Sequence, residues 1–157
     1  LAICLVKKTS MEIIFQKATE LGVAKITPII SERTEVKDLN IERAKKIVVE
    51  ATEQSNQLNI PNIKEPIKLK NFINSLNADV GLFFADIDTE KKIDKKNIEK
   101  YKKICVLIGP EGDFSPTERE MILDKENTIP FSLSKNILRT ETAAISALSL
   151  INYSLNL

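Results

Sequence analysis

Histidine is absent from the 157 residues. That absence removes serine–histidine triads, imidazole acid–base chemistry and most zinc sites. Cysteine is nearly absent: Cys4 and Cys105 sit inside short apolar runs, which suits reduced, buried thiols of a cytosolic protein better than a disulfide framework. Two distant cysteines cannot supply a metal site, so no metal is expected. Long apolar runs are missing as well. The opening LAICLV falls far below the roughly 20 residues needed to span a bilayer, and no stretch has the build of a secretory signal. Charge of one sign is not in excess, with Lys+Arg at 23 against Asp+Glu at 22 and a net +1. No global field drives the chain onto nucleic acid or a membrane, and any polyanion contact is local. Arginine is confined to Arg33, Arg43, Arg119 and Arg139 in a lysine-rich chain. A retained arginine points to planar, bidentate binding. Arg43 and Arg119 lie in helical patterns and read as surface residues, whereas Arg33 and Arg139 flank loops.

What is present is an alternation of β-branched runs and helical patterns, the sign of one α/β domain with a mainly parallel sheet. Strands are expected at 1–6, 25–30, 79–86, 104–109 and 128–133. Pro28 favours an edge position or an irregular end for the second of these. Thr9 and Glu12 stand in capping-box register for a first helix that Gly22 stops, and residues 41–57 read as a long amphipathic helix. IPNIKEP breaks it, a short helix follows at about 69–76, and 90–103 is a lysine-rich connector. Ser115, Pro116 and Glu118 form a helix start, with the helix running to about Asp124. The loop 134–139 leads to a closing helix with Thr140 as its cap.

The stretch VLIGPEGDFSPTERE, residues 106–120, places a glycine-bearing turn after a strand, where open α/β sheets hold ligands. No Walker lysine follows, the spacing is not that of a dinucleotide fingerprint, and Glu111 and Asp113 would repel a phosphate. From spacing alone the turn is either an ordinary strand-to-helix connection or a backbone cradle for a small molecule. The same pair of readings holds for 134–139. The run KKIDKKNIEKYKK could track an RNA backbone, but Asp94 and Glu99 interrupt it as on a solvated surface.

Four ordered blocks, QKATELGVAKITPIISERTEVK (16–37), EATEQSNQLNIP (50–61), LIGPEGDFSPTE (107–118) and LSKNILRTETAAISAL (133–148), resemble the SPOUT-class bacterial 16S rRNA uracil-N3 methyltransferases. The resemblance implies a doubly wound α/β fold with a C-terminal deep trefoil knot. It also implies S-adenosylmethionine as cofactor, bound by three loops: Phe84 and Ala85; Ile108, Gly109, Glu111 and Gly112; and Leu133, Ser134, Asn136, Ile137, Leu138 and Thr140. A cytoplasmic homodimer acting on 16S ribosomal RNA or the small ribosomal subunit is expected, with no membrane partner. Arg139 is the expected charge stabiliser, with Glu141 or Glu111 as base, although Glu141 also suits a helix first turn. Arg33, Gln54, Lys7, Lys8 and the lysines of 91–103 are expected RNA contacts. Asp113 replaces a usual glycine, Ser134 and Asn136 replace a usual Gly and Arg, and Gln57 a usual Arg. The family's N-terminal PUA-like barrel has no counterpart here, and the chain opens on Leu1, so part of a longer protein is expected. These departures also admit an alternative, a non-catalytic RNA-binding or dimerisation module with a degraded cofactor pocket.

Overall fold

Alternating side chains of the strands feed two separate cores, and this decides the layering. In the computed structural model, which describes residues 1–155, the seven strands pair in parallel. Strands β1 (Ala2–Cys4), β2 (Lys25–Ile30), β3 (Asn62–Ile63), β5 (Val80–Ala85), β6 (Lys103–Ile108) and β7 (Thr128–Phe131) lie in the order β3-β2-β1-β6-β5-β7. The remaining strand, β4 (Ile67–Lys68), pairs with β2. Ile3, Phe83, Val106 and Ile108 enter one core with helices α1 (Lys8–Glu20), α2 (Ile41–Gln54) and α6 (Thr140–Ser154) and with Ile98 of the short α4 (Lys95–Glu99). Ala2, Cys4, Leu82, Phe84 and Leu107 enter the other, with α3 (Leu69–Ser75) and α5 (Pro116–Leu123). Both faces are covered, which is why the strands read as continuous apolar runs. Each large side chain removed from water, such as Phe15 or Phe131, contributes about 1.5–3 kcal/mol. Burial pushes the Cys4 thiol up to about 12, so it stays protonated at neutral pH.

Local chemistry explains most element ends. Ser115 caps α5 with Pro116 at its first position, and the Glu118 side chain closes the capping box. Helix α1 ends where Gly22 takes φ +77°, with the Gly22 and Val23 N–H groups donating to the Thr19 and Ala18 carbonyls. Asn56, at φ 53°, terminates α2 in the same way, so the helix stops at Gln54, three residues before the 41–57 pattern runs out.

Several expectations are corrected. Thr9 is not a cap: α1 begins at Lys8 after Lys7, without a side-chain cap. Glu12 instead accepts a hydrogen bond from Arg43 Nε at 3.1 Å, so a contact from the next helix takes the carboxylate that the local box needed. Thr140 is the first residue of α6 rather than its cap, which is Arg139. The strands expected at 1–6 and 128–133 are shorter, and 90–103 contains α4.

Pro28 lies inside the sheet, paired with Ile3. The N–H groups of Thr27 and Leu5 donate to the Leu1 and Ile29 carbonyls, so residues 27 and 29 face β1. The Ile26 carbonyl accepts from Lys64 on the other side, toward which Pro28 also points. There β3 pairs with Lys25 and Ile26, and β4 with Ile29 and Ile30, so the missing proline donor faces the break between two short strands.

Gly81 of β5 has no room for a side chain, since a Cβ would come within 2.6 Å of the Tyr101 ring. Gly81→Ala is expected to cost about 1–3 kcal/mol by overpacking. Adding Tyr101→Ala should restore part of the lost thermal midpoint.

Candidate active site

A parallel sheet brings all its strand C-termini to one edge. At this edge lie the segments after β1 (Leu5–Lys7), β2 (residues 31–36), β5 (Asp86), β6 (residues 109–114) and β7 (residues 132–139). The turn after β6 is built tightly. Asp113 N–H donates to the Pro110 carbonyl at 3.0 Å, and Phe114 packs edge-on against Phe84 with ring centroids 5.7 Å apart. A Cβ on Gly109 would meet the Phe114 ring at 3.1 Å, so glycine there permits the close approach.

Three outside groups fix this turn. Arg33 Nη1 donates to the Gly112 carbonyl at 2.9 Å. The Thr140 hydroxyl donates to the Gly109 carbonyl at 3.4 Å, joining the start of α6 to the end of β6. Buried Glu118 accepts from the Ser115 N–H at 3.1 Å and from the Glu32 N–H at 2.8 Å, which ties the loop after β2 to α5.

Asp113 takes the left-handed conformation at φ 57°, which explains why a glycine suits this position. Aspartate tolerates that region better than most residues, so the turn forms without glycine. Burial first, and the nearby Asp86 and Asp88 carboxylates, hold the Asp113 carboxyl above its usual range, while the Phe114 N–H and Arg119 oppose the shift. A pKa raised on folding means that the folded chain holds the proton more tightly than the unfolded chain. Ionisation of Asp113 therefore costs stability as pH rises through that raised value. Asp113→Asn is expected to stabilise the fold by roughly 0.5 kcal/mol at neutral pH, the scale of a partly screened charge interaction. In urea titrations the gain should disappear at acid pH, where the aspartate is protonated in both states.

The third segment holds its own shape. Asn136 N–H donates to the Ser134 hydroxyl at 3.0 Å, so both replacements for the usual Gly and Arg take part in one local turn. Between this segment and the end of β5 lies a cavity of about 60 Å³ lined by Ala85, Asp86, Leu133, Ser134, Asn136 and Leu138. The hollow opens to solvent, so its volume does not confine it to water. The donor set fits a nucleoside that carries a sulfonium: exposed loop backbone, apolar Leu133 and Leu138, and carboxylates that a sulfonium tolerates and a phosphate does not. Ile137 is 85% exposed beside it.

The expected catalytic groups divide by environment. Glu141 is half-buried, and its Oε2 is buried with no hydrogen-bond partner. Glu111 is exposed on the turn. Arg139 is the one arginine whose guanidinium has no hydrogen bond or ion pair among the described residues, since Arg33 holds Gly112, Arg43 pairs with Glu12 and Arg119 with Asp86. Arg119 is therefore not the plain surface residue that its helical pattern implied. Asp86 and its partner Arg119 are the site residues that sequence reasoning missed, being separated by 33 positions with no motif between them. Among the described residues no group of three or more His, Cys, Asp or Glu could hold a metal ion.

Of the expected RNA contacts, Lys7 and Arg33 line one hollow of about 220 Å³ with Glu111 and Gly112, and Lys8 follows at the start of α1. Gln54 stands apart, exposed at the far end of α2 in the groove between α1 and α2. Gln57 donates from Nε2 to the Glu20 carbonyl at 3.4 Å.

The family described as RNA methyltransferase domain matches residues 1–152. A ribosomal RNA small subunit methyltransferase E of Rickettsia conorii is 34% identical over 151 residues, covering 95% of this chain and 62% of the relative. Its namesake in Aquifex aeolicus is 36% identical over 148 residues, covering 90% and 62%. A crystal structure of the Neisseria gonorrhoeae enzyme of that name, bound to S-adenosyl methionine, superposes with a TM-score of 0.87 at 27% identity, covering 97% of this chain and 64% of that one. The chain thus spans about 62% of the length of these two curated relatives.

Proposed function

We propose that this chain, which belongs to the RNA methyltransferase domain family, is the part of an S-adenosylmethionine-dependent enzyme that methylates N3 of a uridine in bacterial 16S ribosomal RNA. The observation that carries the reading is the meeting of three segments at the carboxyl edge: those after β5 and β7 line one cavity, and Thr140, at the end of the latter and between Arg139 and the orphaned Glu141, bonds Gly109 of the turn after β6. The relatives' names and the cofactor bound by the Neisseria structure support the reaction and the ligand. No helix among the described residues is long and apolar enough to cross a membrane. A cytoplasmic ribosomal substrate is compatible with that.

The cofactor, when bound, supplies an electrophilic methyl group on a sulfonium. The chain's own task is to place the acceptor nitrogen in line with it and to manage the imide proton. Phe84, Ala85, Ile108, Gly109, Gly112 and the segment Leu133–Thr140 form the cradle, with backbone groups of the turn and of Leu133, Ser134, Asn136, Ile137 and Leu138 as its polar contacts. Arg139 stabilises negative charge on the uracil carbonyl oxygens, and its free guanidinium suits a planar partner. Glu141 is the preferred base, because its unpaired buried oxygen has proton-accepting capacity to spare. Glu111 is the alternative, and being exposed it competes with water. Arg33, Lys7, Lys8 and the lysines of 91–103 contact RNA phosphates in this reading, although Arg33 also braces the turn through Gly112. Gln54, at the opposite end of α2, contacts RNA only if the substrate reaches across that helix.

Exposed Leu150 and Tyr153, three positions apart on α6, offer an apolar face for a second copy, which supports a homodimer. The trefoil knot belongs to the same reading, supported by the return of the chain from β7, at the edge of the sheet, to a helix whose first residue bonds Gly109. Transfer of a labelled methyl group to small ribosomal subunits lacking the modification tests the function, with the nucleosides then separated. Label in 3-methyluridine is expected. Label in another nucleoside would overturn the assigned target, and no transfer to any RNA by a cofactor-binding chain would favour the non-catalytic alternative.

A further inference from the structure

Asp86 is where the three segments of the cleft meet. Its side chain is 1% exposed, yet it carries a carboxylate, so it requires strong partners. Arg119 supplies them as a fork: Nε donates to Oδ1 at 3.1 Å and Nη2 to Oδ2 at 2.7 Å. The Asp86 N–H donates to the Phe131 carbonyl at 3.0 Å, which fixes the last residue of β7 before the segment 132–139. Oδ1 also accepts from the Asp88 N–H at 3.1 Å, which curls the chain after β5 back on itself. Arg119 stands on α5, directly after the glycine turn, and lies 3.4 Å from Asp88. One residue thus joins the exits of β5 and β7 through its backbone and side chain, and the turn before α5 through its ion pair.

We propose that the Asp86–Arg119 pair is a positioning clamp that holds these three segments at the spacing the cofactor cleft requires, and so sets cofactor affinity. The inference rests on the cofactor reading above. The pair touches the cleft wall through Asp86 and takes no part in the chemistry. Lysine cannot replace Arg119 fully, because a single ammonium cannot make two parallel bonds to a buried carboxylate.

The test compares the full chain with Asp86→Asn, Arg119→Lys and the double variant Asp86→Asn/Arg119→Gln. Three quantities are read: S-adenosylmethionine affinity by calorimetry, thermal midpoint, and hydrogen exchange of the amides at 111–114 and 132–136 without ligand. Asp86→Asn should weaken binding about tenfold and Arg119→Lys about threefold, at temperatures where both are folded. Exchange should quicken in both segments. The double variant, whose amides can bond each other without charge, should recover part of the affinity, as coupled neighbours do. Arg119→Lys keeps its charge and serves if Asp86→Asn fails to fold. A lowered midpoint with unchanged affinity and unchanged exchange in folded variants would overturn the clamp. Failure of the unmodified chain to bind the cofactor would overturn the proposed function instead, and the exchange rates would then decide the clamp by themselves.

Discussion

Replacing Glu118 with alanine is expected to lower stability by about 2–4 kcal/mol, because two N–H groups lose a charged acceptor inside the protein at once. The carboxylate accepts from Ser115 at 3.1 Å, closing the first turn of α5, and from Glu32 at 2.8 Å, holding the loop that carries Arg33. Arg33 in turn bonds the Gly112 carbonyl, so the substitution loosens the loop after β2 and the glycine turn together. For a chain of this size the loss corresponds to a fall of roughly 5–15 °C in the thermal midpoint. Glu118→Gln keeps one acceptor oxygen and should fall between the two. Urea unfolding curves for the three proteins give the comparison, and an alanine variant within 0.5 kcal/mol of the parent, roughly the scale of an ordinary surface substitution, would remove Glu118 from this role.

Arg139→Ala should behave in the opposite way, leaving the fold intact while reducing methyl transfer about 100- to 1,000-fold, the scale of losing one donor to a developing negative charge. The guanidinium is uncommitted among the described residues and the backbone of Arg139 still caps α6, so the stability change should stay within about 0.5 kcal/mol. The proposed cradle uses backbone groups of this segment, which alanine keeps, so cofactor affinity should move less than about threefold, well under the tenfold that 1.4 kcal/mol represents. Arg139→Lys should recover little, since an ammonium cannot face two carbonyl oxygens in one plane. Single-turnover transfer rates, measured at saturating cofactor, separate this outcome from a binding defect. Undiminished transfer by the alanine variant would assign the charge-stabilising role elsewhere.

The contrast between these two residues follows what the sequence could and could not reveal. Ser115, Pro116 and Glu118 were legible because the capping box closes within four residues. The same pattern at Thr9 and Glu12 misled, because Arg43, 31 positions away, takes the carboxylate. Strand–helix alternation was readable wherever a strand is buried on both faces. The two-residue β3 and β4 are too short to leave a period, and without them Pro28 could be placed only by the rule that proline avoids inner strands. Scarcity of arginine drew attention to Arg33 and Arg139, and both lie at the carboxyl edge. The same scarcity did not single out Arg119, whose importance comes from a buried aspartate that looks in sequence like the polar end of an apolar strand. The three segments proposed to hold the cofactor were assembled by resemblance, since nothing in their spacing says that residues 85 and 134 share a cavity or that Thr140 reaches Gly109. Gln54 was carried with its block and lies away from the edge where the others meet.

Calorimetric titration of the chain with S-adenosylmethionine decides whether the segments after β5, β6 and β7 form the proposed cofactor cleft. Saturable binding at about one site per chain is expected, weakened when Gly109 is replaced by valine, whose side chain would meet Phe114 and displace the turn. A folded chain that gives no binding heat at any accessible temperature, and no rise in thermal midpoint with added cofactor, would contradict it.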